Sequence, residues 1–223
     1  MPGSLLLTSI PASVPVFYLP EHLDDASAAL RLHRYVVIAV STDSTQDRTK
    51  ARQQIRSAII TLIQRCYQID VRDIEIATSS GTAPRLLFSD HEAALSISHE
   101  AGLSLAAICL DSSVGIDLLH TKNLAKESFE WQDIARIYLD PDRHQMIRSL
   151  TPEQQLLSFA QEWTMLEARY KCAGMALSEW SDTVAAGRHT QLQVMPAYQL
   201  DLPENYCGSI AFSAQKTAFT NKV

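Results

Sequence analysis

Residues 96–120 read SISHEAGLSLAAICLDSSVGIDLLH. The stretch has the form of two short apolar strands with one Ser-His pair, Ser98-His99, and one aspartate, Asp117, set into them. In a strand over 114–119 the side chains alternate. Val114, Ile116 and Leu118 face one way; Gly115, Asp117 and Leu119 face the other. A carboxylate among such neighbours is costly unless something offsets its charge. Gly115 is expected to leave space beside Asp117, as a ligand site requires. The plainer alternative is an aspartate that ends a strand and enters a turn.

Moving outward, long helices are expected over about 45–67 and 152–173. The first carries Ile55, Ile59, Leu62, Ile63 and Cys66 at helical spacing. The second has Thr151 as N-cap, Pro152 in its first turn and Gly174 as its stop. Strand-like runs follow each helix: DIEIATS, ALSISH, LSLAAICL and SVGIDLL after the first, TQLQVM, YQLDL and GSIAFSA after the second. A shorter helix is expected over about 128–138. A long helix followed by antiparallel strands, twice over, predicts an α+β chain of two similar halves joined near residues 111–113.

The 223 residues suffice for one large domain or two small ones. Apolar content of 46% and charged content of 20% are ordinary for a globular protein. The four cysteines are scattered without a CxxC pair, which predicts free thiols in a reducing cytoplasm rather than a disulfide framework or zinc site. The N-terminal stretch lacks the positive region of a secretory signal, its first charge being Glu21, and no apolar run approaches a membrane span. A net charge of −6 argues against general nucleic-acid binding.

Two further clusters carry charge where chemistry would need it. Residues 48–72 hold six basic residues and a single acid, Asp70. Arg48, Arg52 and Arg56 fall on one helical face, where like charges repel; the face is either solvated or gathers an anion such as a phosphate. In FAQEWTMLEARYKCAG, residues 159–174, Phe159, Trp163 and Glu167 are four apart, so Glu167 continues an apolar stripe and Lys171 follows one turn later. A surface Glu-Lys pair would stabilise the helix by only about 0.2–0.5 kcal/mol. Met165, Leu166, Ala168 and Tyr170 make the turn apolar, a setting in which such a pair more often serves a metal or phosphate.

The order I-S-H-x-x-G, then V-G-I-D, then W-x-x-x-E-A-x-x-K-x-x-G resembles the 4'-phosphopantetheinyl transferases, and more narrowly the larger, two-lobed kind that activates peptide and polyketide synthases. The resemblance runs from about Arg48 to the C-terminus and includes APRLLF at 83–88 and LDLPENYCGSIAFSA at 200–214. It implies two pseudo-symmetric lobes, 1–112 and 113–223, each a long helix on a small antiparallel sheet, with the active site in the cleft of one compact unit. It further implies a cytoplasmic monomer that moves the phosphopantetheine arm of coenzyme A to a serine of an acyl or peptidyl carrier protein, needs Mg2+ and releases 3',5'-ADP. By the same resemblance, Asp117 and Glu167 bind Mg2+ and Glu167 takes the serine proton. Lys171 holds the pyrophosphate and assists the leaving oxygen. Ser98 and His99 contact coenzyme A phosphates, Arg48 or Arg52 meets the 3'-phosphate, and Arg85 supports the coenzyme.

Three positions depart from the pattern: Leu119 stands where larger members carry an acid, Leu166 where they carry a lysine, and Ala83 where they carry a base before proline. With Leu119 in that place, Mg2+ is expected to keep a water and to depend on coenzyme A. These losses also define the alternative, a degenerate homologue that binds a carrier protein or coenzyme A without turnover.

Overall fold

The computed structural model describes residues 13–43, 48–79, 82–124, 130–181, 192 and 195–213. The fold is α+β. A six-stranded sheet is built from β2 (Phe17–Tyr18), β3 (Tyr35–Ser41), β4 (Ile74–Ala77), β5 (Arg85–Phe88), β6 (His91–Glu100) and β7 (Leu103–Cys109), in the order β2-β3-β7-β6-β5-β4. A four-stranded sheet is built from β1 (Ser13–Val14), β8 (Val114–His120), β9 (Ala197–Leu200) and β10 (Tyr206–Phe212), in the order β1-β9-β10-β8. The helices are α1 (Leu23–His33), α2 (Arg48–Tyr67), α3 (Thr121–Leu124), α4 (Trp131–Tyr138), α5 (Pro141–Arg148) and α6 (Pro152–Ala173).

The apolar stripe of α2 is buried as its spacing predicts. Ile55, Ile59, Leu62 and Ile63 pack with Val36, Ile38, Leu95, Ala106 and Ile108 on one face of the six-stranded sheet. The opposite face of that sheet, through Val37, Ala39, Leu105 and Ala107, packs on Val114, Ile116, Leu118 and Ile210 of the four-stranded sheet. The far side of β8 meets α6. The layers therefore run helix, sheet, sheet, helix, with a core between each pair.

Helix α6 has the predicted bounds, because its ends are specified locally. Pro152 occupies the first turn, the Gln154 side chain accepts from the Thr151 N–H at 3.3 Å, and Gly174 stops the helix at φ 65°. The strand runs after each helix appear as β4, β6, β7, β8, β9 and β10. The expected starts of the helices at 45 and 128 fall outside the described residues, as does most of TQLQVM.

Other elements differ from expectation. No element was expected before residue 45, yet α1 and β3 lie there. Helix α5 was also unassigned, although Pro141 and the Asp140 side chain, accepting from the Asp142 N–H at 2.8 Å, cap its start. The sheets are antiparallel except at one end of each, where β2 pairs parallel with β3 and β1 parallel with β9.

Candidate active site

Asp117 lies in the middle of β8, opposite Ser209 of β10, and is 7% exposed. Its charge has a partner from across the chain. Lys171 Nζ, near the end of α6, donates to Asp117 Oδ1 at 2.6 Å. Ser98 Oγ, from β6 of the other sheet, donates to the same oxygen at 3.1 Å. Burial pushes the Asp117 carboxyl above the usual carboxylate range, against the pull of Lys171, Ser98 and the Leu118 amide.

Gly115 explains why Lys171 can reach. A Cβ there would collide with the Ala168 carbonyl oxygen and the Cys172 amide nitrogen of α6. The space expected for a ligand beside Gly115 is filled by helix backbone: the glycine permits close packing of α6 on β8. Leu119 shares the Asp117 face but is buried with Leu124, Phe159 and Cys207 under the first half of α6.

Glu167 sits one turn before Lys171 and is half-buried. Burial first, and then the Asp117 charge, hold its carboxyl above the usual range, with Lys171 opposing. Glu100 is a third carboxylate in the same field, raised by burial and by Asp117 as well. Sequence reasoning passed over Glu100, although alternation along β6 puts it on the face of Ser96 and Ser98. Those two serines bind β8 directly, at the Ile116 amide (3.0 Å) and at Asp117.

His99 points to the opposite face of β6, toward the start of α2. Burial lowers its pKa, as do the charges of Arg52, Lys171 and Arg48, so the ring is held neutral. Its Nδ1 is 2.8 Å from Ser104 Oγ, the residue opposite it on β7. The structure thus brings Asp117, Glu167, Lys171, Ser98, His99, Arg48 and Arg52 into one electrostatic neighbourhood. Ser98, expected beside a phosphate, donates to Asp117.

Arg85 lies apart, on β5, exposed and paired with Glu92 at 3.0 Å. Of the others it shares with Lys171 a cavity of about 360 Å³, lined by Arg85, Glu92, Ser112, Ser113, Lys171 and Gly174 among other residues. Cys172 also lines this cavity, but burial pushes its thiol up to about 12, so it is an inert wall. All four cysteines are free and buried.

The half of the chain that holds β8 and α6 is also the half that sequence comparison matches. Residues 113–214 match the family model of the 4'-phosphopantetheinyl transferase superfamily. Over that span the chain is similar to this superfamily. It is similar to the 4'-phosphopantetheinyl transferase HetI of Nostoc sp. (strain PCC 7120 / SAG 25.82 / UTEX 2576), with 26% identity over 125 residues, 54% of this chain and 51% of the relative. The chain thus spans about half the length of the curated relative it matches. The span matched by the superfamily model holds Asp117, Glu167 and Lys171; Ser98, His99, Arg48, Arg52 and Arg85 lie before it.

Magnesium, which the superfamily implies, takes oxygen ligands, one or two of them carboxylates, and keeps several waters. Asp117 and Glu167 fit that demand: both are oxygen donors, and the Asp117 charge raises the proton affinity of Glu167, as expected of a neighbour that a cation would relieve. Among the described residues no three His, Cys, Asp or Glu side chains form a ready-made metal cage, so phosphate oxygens and water would complete the shell. No described helix is long and apolar enough to cross a membrane.

Proposed function

We propose that the chain transfers the 4'-phosphopantetheine arm of coenzyme A to a serine of an acyl or peptidyl carrier protein, dependent on Mg2+ and releasing 3',5'-ADP. The observation that carries the reading is Lys171, paired to Asp117 at 2.6 Å, at the boundary between a carboxylate cluster and a cavity of about 360 Å³. In this reading residues 1–112 and 113–223 are the two lobes of one pseudo-symmetric, monomeric, cytoplasmic unit of the larger type. The cleft between the lobes is the active site.

The carrier serine oxygen attacks the phosphorus that bears the pantetheine arm, and the bond to the 3',5'-ADP oxygen breaks as the new one forms. Glu167 takes the serine proton; its raised pKa brings it closer to neutral pH, where a base is effective. Lys171 meets the pyrophosphate and the negative charge that develops on the departing oxygen. Arg52 or Arg48 receives the 3'-phosphate, His99 donates from its neutral ring to a phosphate oxygen, and Arg85 flanks the nucleotide in the cavity. Asp117 and Glu167 would hold Mg2+, which supplies charge neutralisation on the pyrophosphate when bound.

A second reading, a binding module without turnover, draws support from Leu119, Leu166 and Ala83 in place of charges, and from Arg85 being paired with Glu92. One experiment separates the two. The protein is mixed with coenzyme A, Mg2+ and a panel of apo-carrier proteins, and phosphopantetheine addition is read by mass spectrometry. A carrier modified at its serine is the expected result. An unmodified panel, with coenzyme A or a carrier still bound, establishes the module.

A further inference from the structure

The carboxylate cluster and the cavity share one residue. Lys171 Nζ is bonded to Asp117 Oδ1, and Lys171 is also among the residues that line the cavity, with Ser112 and Arg85. Its side chain is 33% exposed, whereas that of Asp117 is 10% exposed. One oxygen of Asp117 carries two donors, Lys171 and Ser98. The positive charge that neutralises Asp117 is thus the protein's own, and it stands where a metal ligated by that carboxylate would meet repulsion.

We propose that Lys171 keeps divalent metal out of the free protein by holding Asp117, and that the anionic group of the donor, entering the cavity, draws the ammonium away and opens the carboxylates. The proposal rests on the transferase reading above and deepens it by giving the site an order of assembly, donor first or donor and metal together.

The side chain suits this role. An ammonium is a compact charge on a flexible four-carbon stem, able to exchange one anion for another without moving backbone. The two anions it would serve are on either side of it: Asp117 inward, and whatever fills the cavity outward. The packing argues that the inward position is built rather than incidental. Gly115 brings the α6 backbone against β8, and Ser98 steadies the same carboxylate oxygen from the other sheet. Buried Leu119 offers no further carboxylate with which a metal could outcompete the lysine. A ligand moves an equilibrium only by binding one state better, and here that differential is the donor's contact with a released Lys171.

The test is Mg2+ titration by calorimetry at about pH 8, well above the unperturbed carboxylate range. Wild-type protein without coenzyme A is expected to bind Mg2+ weakly. Lys171→Gln, which keeps a hydrogen-bond donor and removes the charge, and Lys171→Met are expected to bind it about tenfold tighter or more. Ser98→Ala removes a donor from the same oxygen but no charge, and metal affinity should stay within about threefold of wild type. Equal or weaker Mg2+ binding by the lysine variants overturns the proposal, as does a tenfold gain in Ser98→Ala. A measurement on the wild type covers variants that fail to fold. The 15N signal of the Lys171 ammonium should move when coenzyme A is added without metal; an unmoved signal overturns the proposal. The two readings fail separately. Tight metal binding by Lys171→Gln, with no carrier modified by the wild type, leaves the lysine lock in place and removes the transferase. A modified carrier with no gain in Lys171→Gln removes the lock alone.

Discussion

Glu167 is asked to be both metal ligand and base, and its environment sets a pH test for that. Burial and the Asp117 charge raise its pKa in the folded chain above the unfolded value. A group raised in this way contributes stability that is fully present below the unfolded carboxylate range and is lost as pH rises through the folded value. Glu167→Gln removes that penalty. In metal-free buffer the variant and wild type should melt together near about pH 4, and the variant should melt higher near about pH 7.5. Its transfer rate should fall by about a hundredfold or more. A variant with near-normal rate and an unchanged melting difference across pH would reduce Glu167 to one half of a surface pair. The arginines give a second test at this scale. The charges of Arg52 and Arg48 are felt at His99, so an anion there would meet all three. Arg52→Ala should weaken coenzyme A by about 1.5–3 kcal/mol and dephospho-coenzyme A by much less, read by calorimetry. Equal losses would take Arg52 off the 3'-phosphate. These residues were legible because each is a charge placed against the local pattern. Glu100 and Ser104 were not, because each acts through a neighbour on an adjacent strand, which spacing within one segment does not reveal.

Two elements, β8 and α6, bring Asp117, Glu167 and Lys171 together, and their contact depends on a missing side chain. Gly115 faces α6 between the Ala168 carbonyl and the Cys172 amide, with no room for a methyl group. Gly115→Ala must push the C-terminal half of α6 away from β8. Overpacking of this kind costs about 1–3 kcal/mol, and here it also carries Lys171 and Glu167 away from Asp117. A lower melting temperature together with loss of transfer is expected; a fall in melting temperature with full activity would mean that α6 slides without disturbing the site. The element boundaries show what sequence can and cannot supply. α6 was readable to the residue because Thr151, Pro152 and Gly174 mark its ends. β8 was readable from alternation, but the reason for Gly115 was not, since it lies in a helix some fifty residues away. Leu119 is similar: as a departure from the family pattern it looked like a lost ligand, and the fold gives it a packing role against Phe159 and Cys207. β3, YVVIAVS, escaped notice because it is apolar on both faces. It packs on the α2 side through Val36 and Ile38 and on the other sheet through Val37 and Ala39, so no alternation marks it.

At the scale of the whole molecule, the two sheets bury their inner faces against each other, and the site spans both. Asp117, Glu167 and Lys171 come from the C-terminal half; Ser98, His99, Glu100 and Arg52 come from the N-terminal half. The halves are also tied by β1, which leaves the N-terminal end of the chain to pair with β9, Ser13 opposite Gln199. A division at residues 112 and 113 is expected from the sequence as a point between two helix-and-strand runs, and both β1 and the contact between the sheets cross it. Cutting there would expose Val37, Ala39, Leu105 and Ala107 on one piece and Val114, Ile116, Leu118 and Ile210 on the other. Each valine, leucine or isoleucine among them loses on the order of 1.5–3 kcal/mol of burial when fully exposed, and together they exceed what a small domain has to spare. Residues 1–112 and 113–223, expressed separately, should each lack dispersed amide spectra and a cooperative melt, while the intact chain should unfold in one transition with denaturant. Mixing the two pieces should restore structure and, with it, the contact of Ser98 with Asp117. A C-terminal piece that folds alone with a sharp melt would show that the contact between the sheets is an interface laid on a finished domain. In that case the site would be assembled by docking the halves, and coenzyme A affinity would become dependent on their concentration.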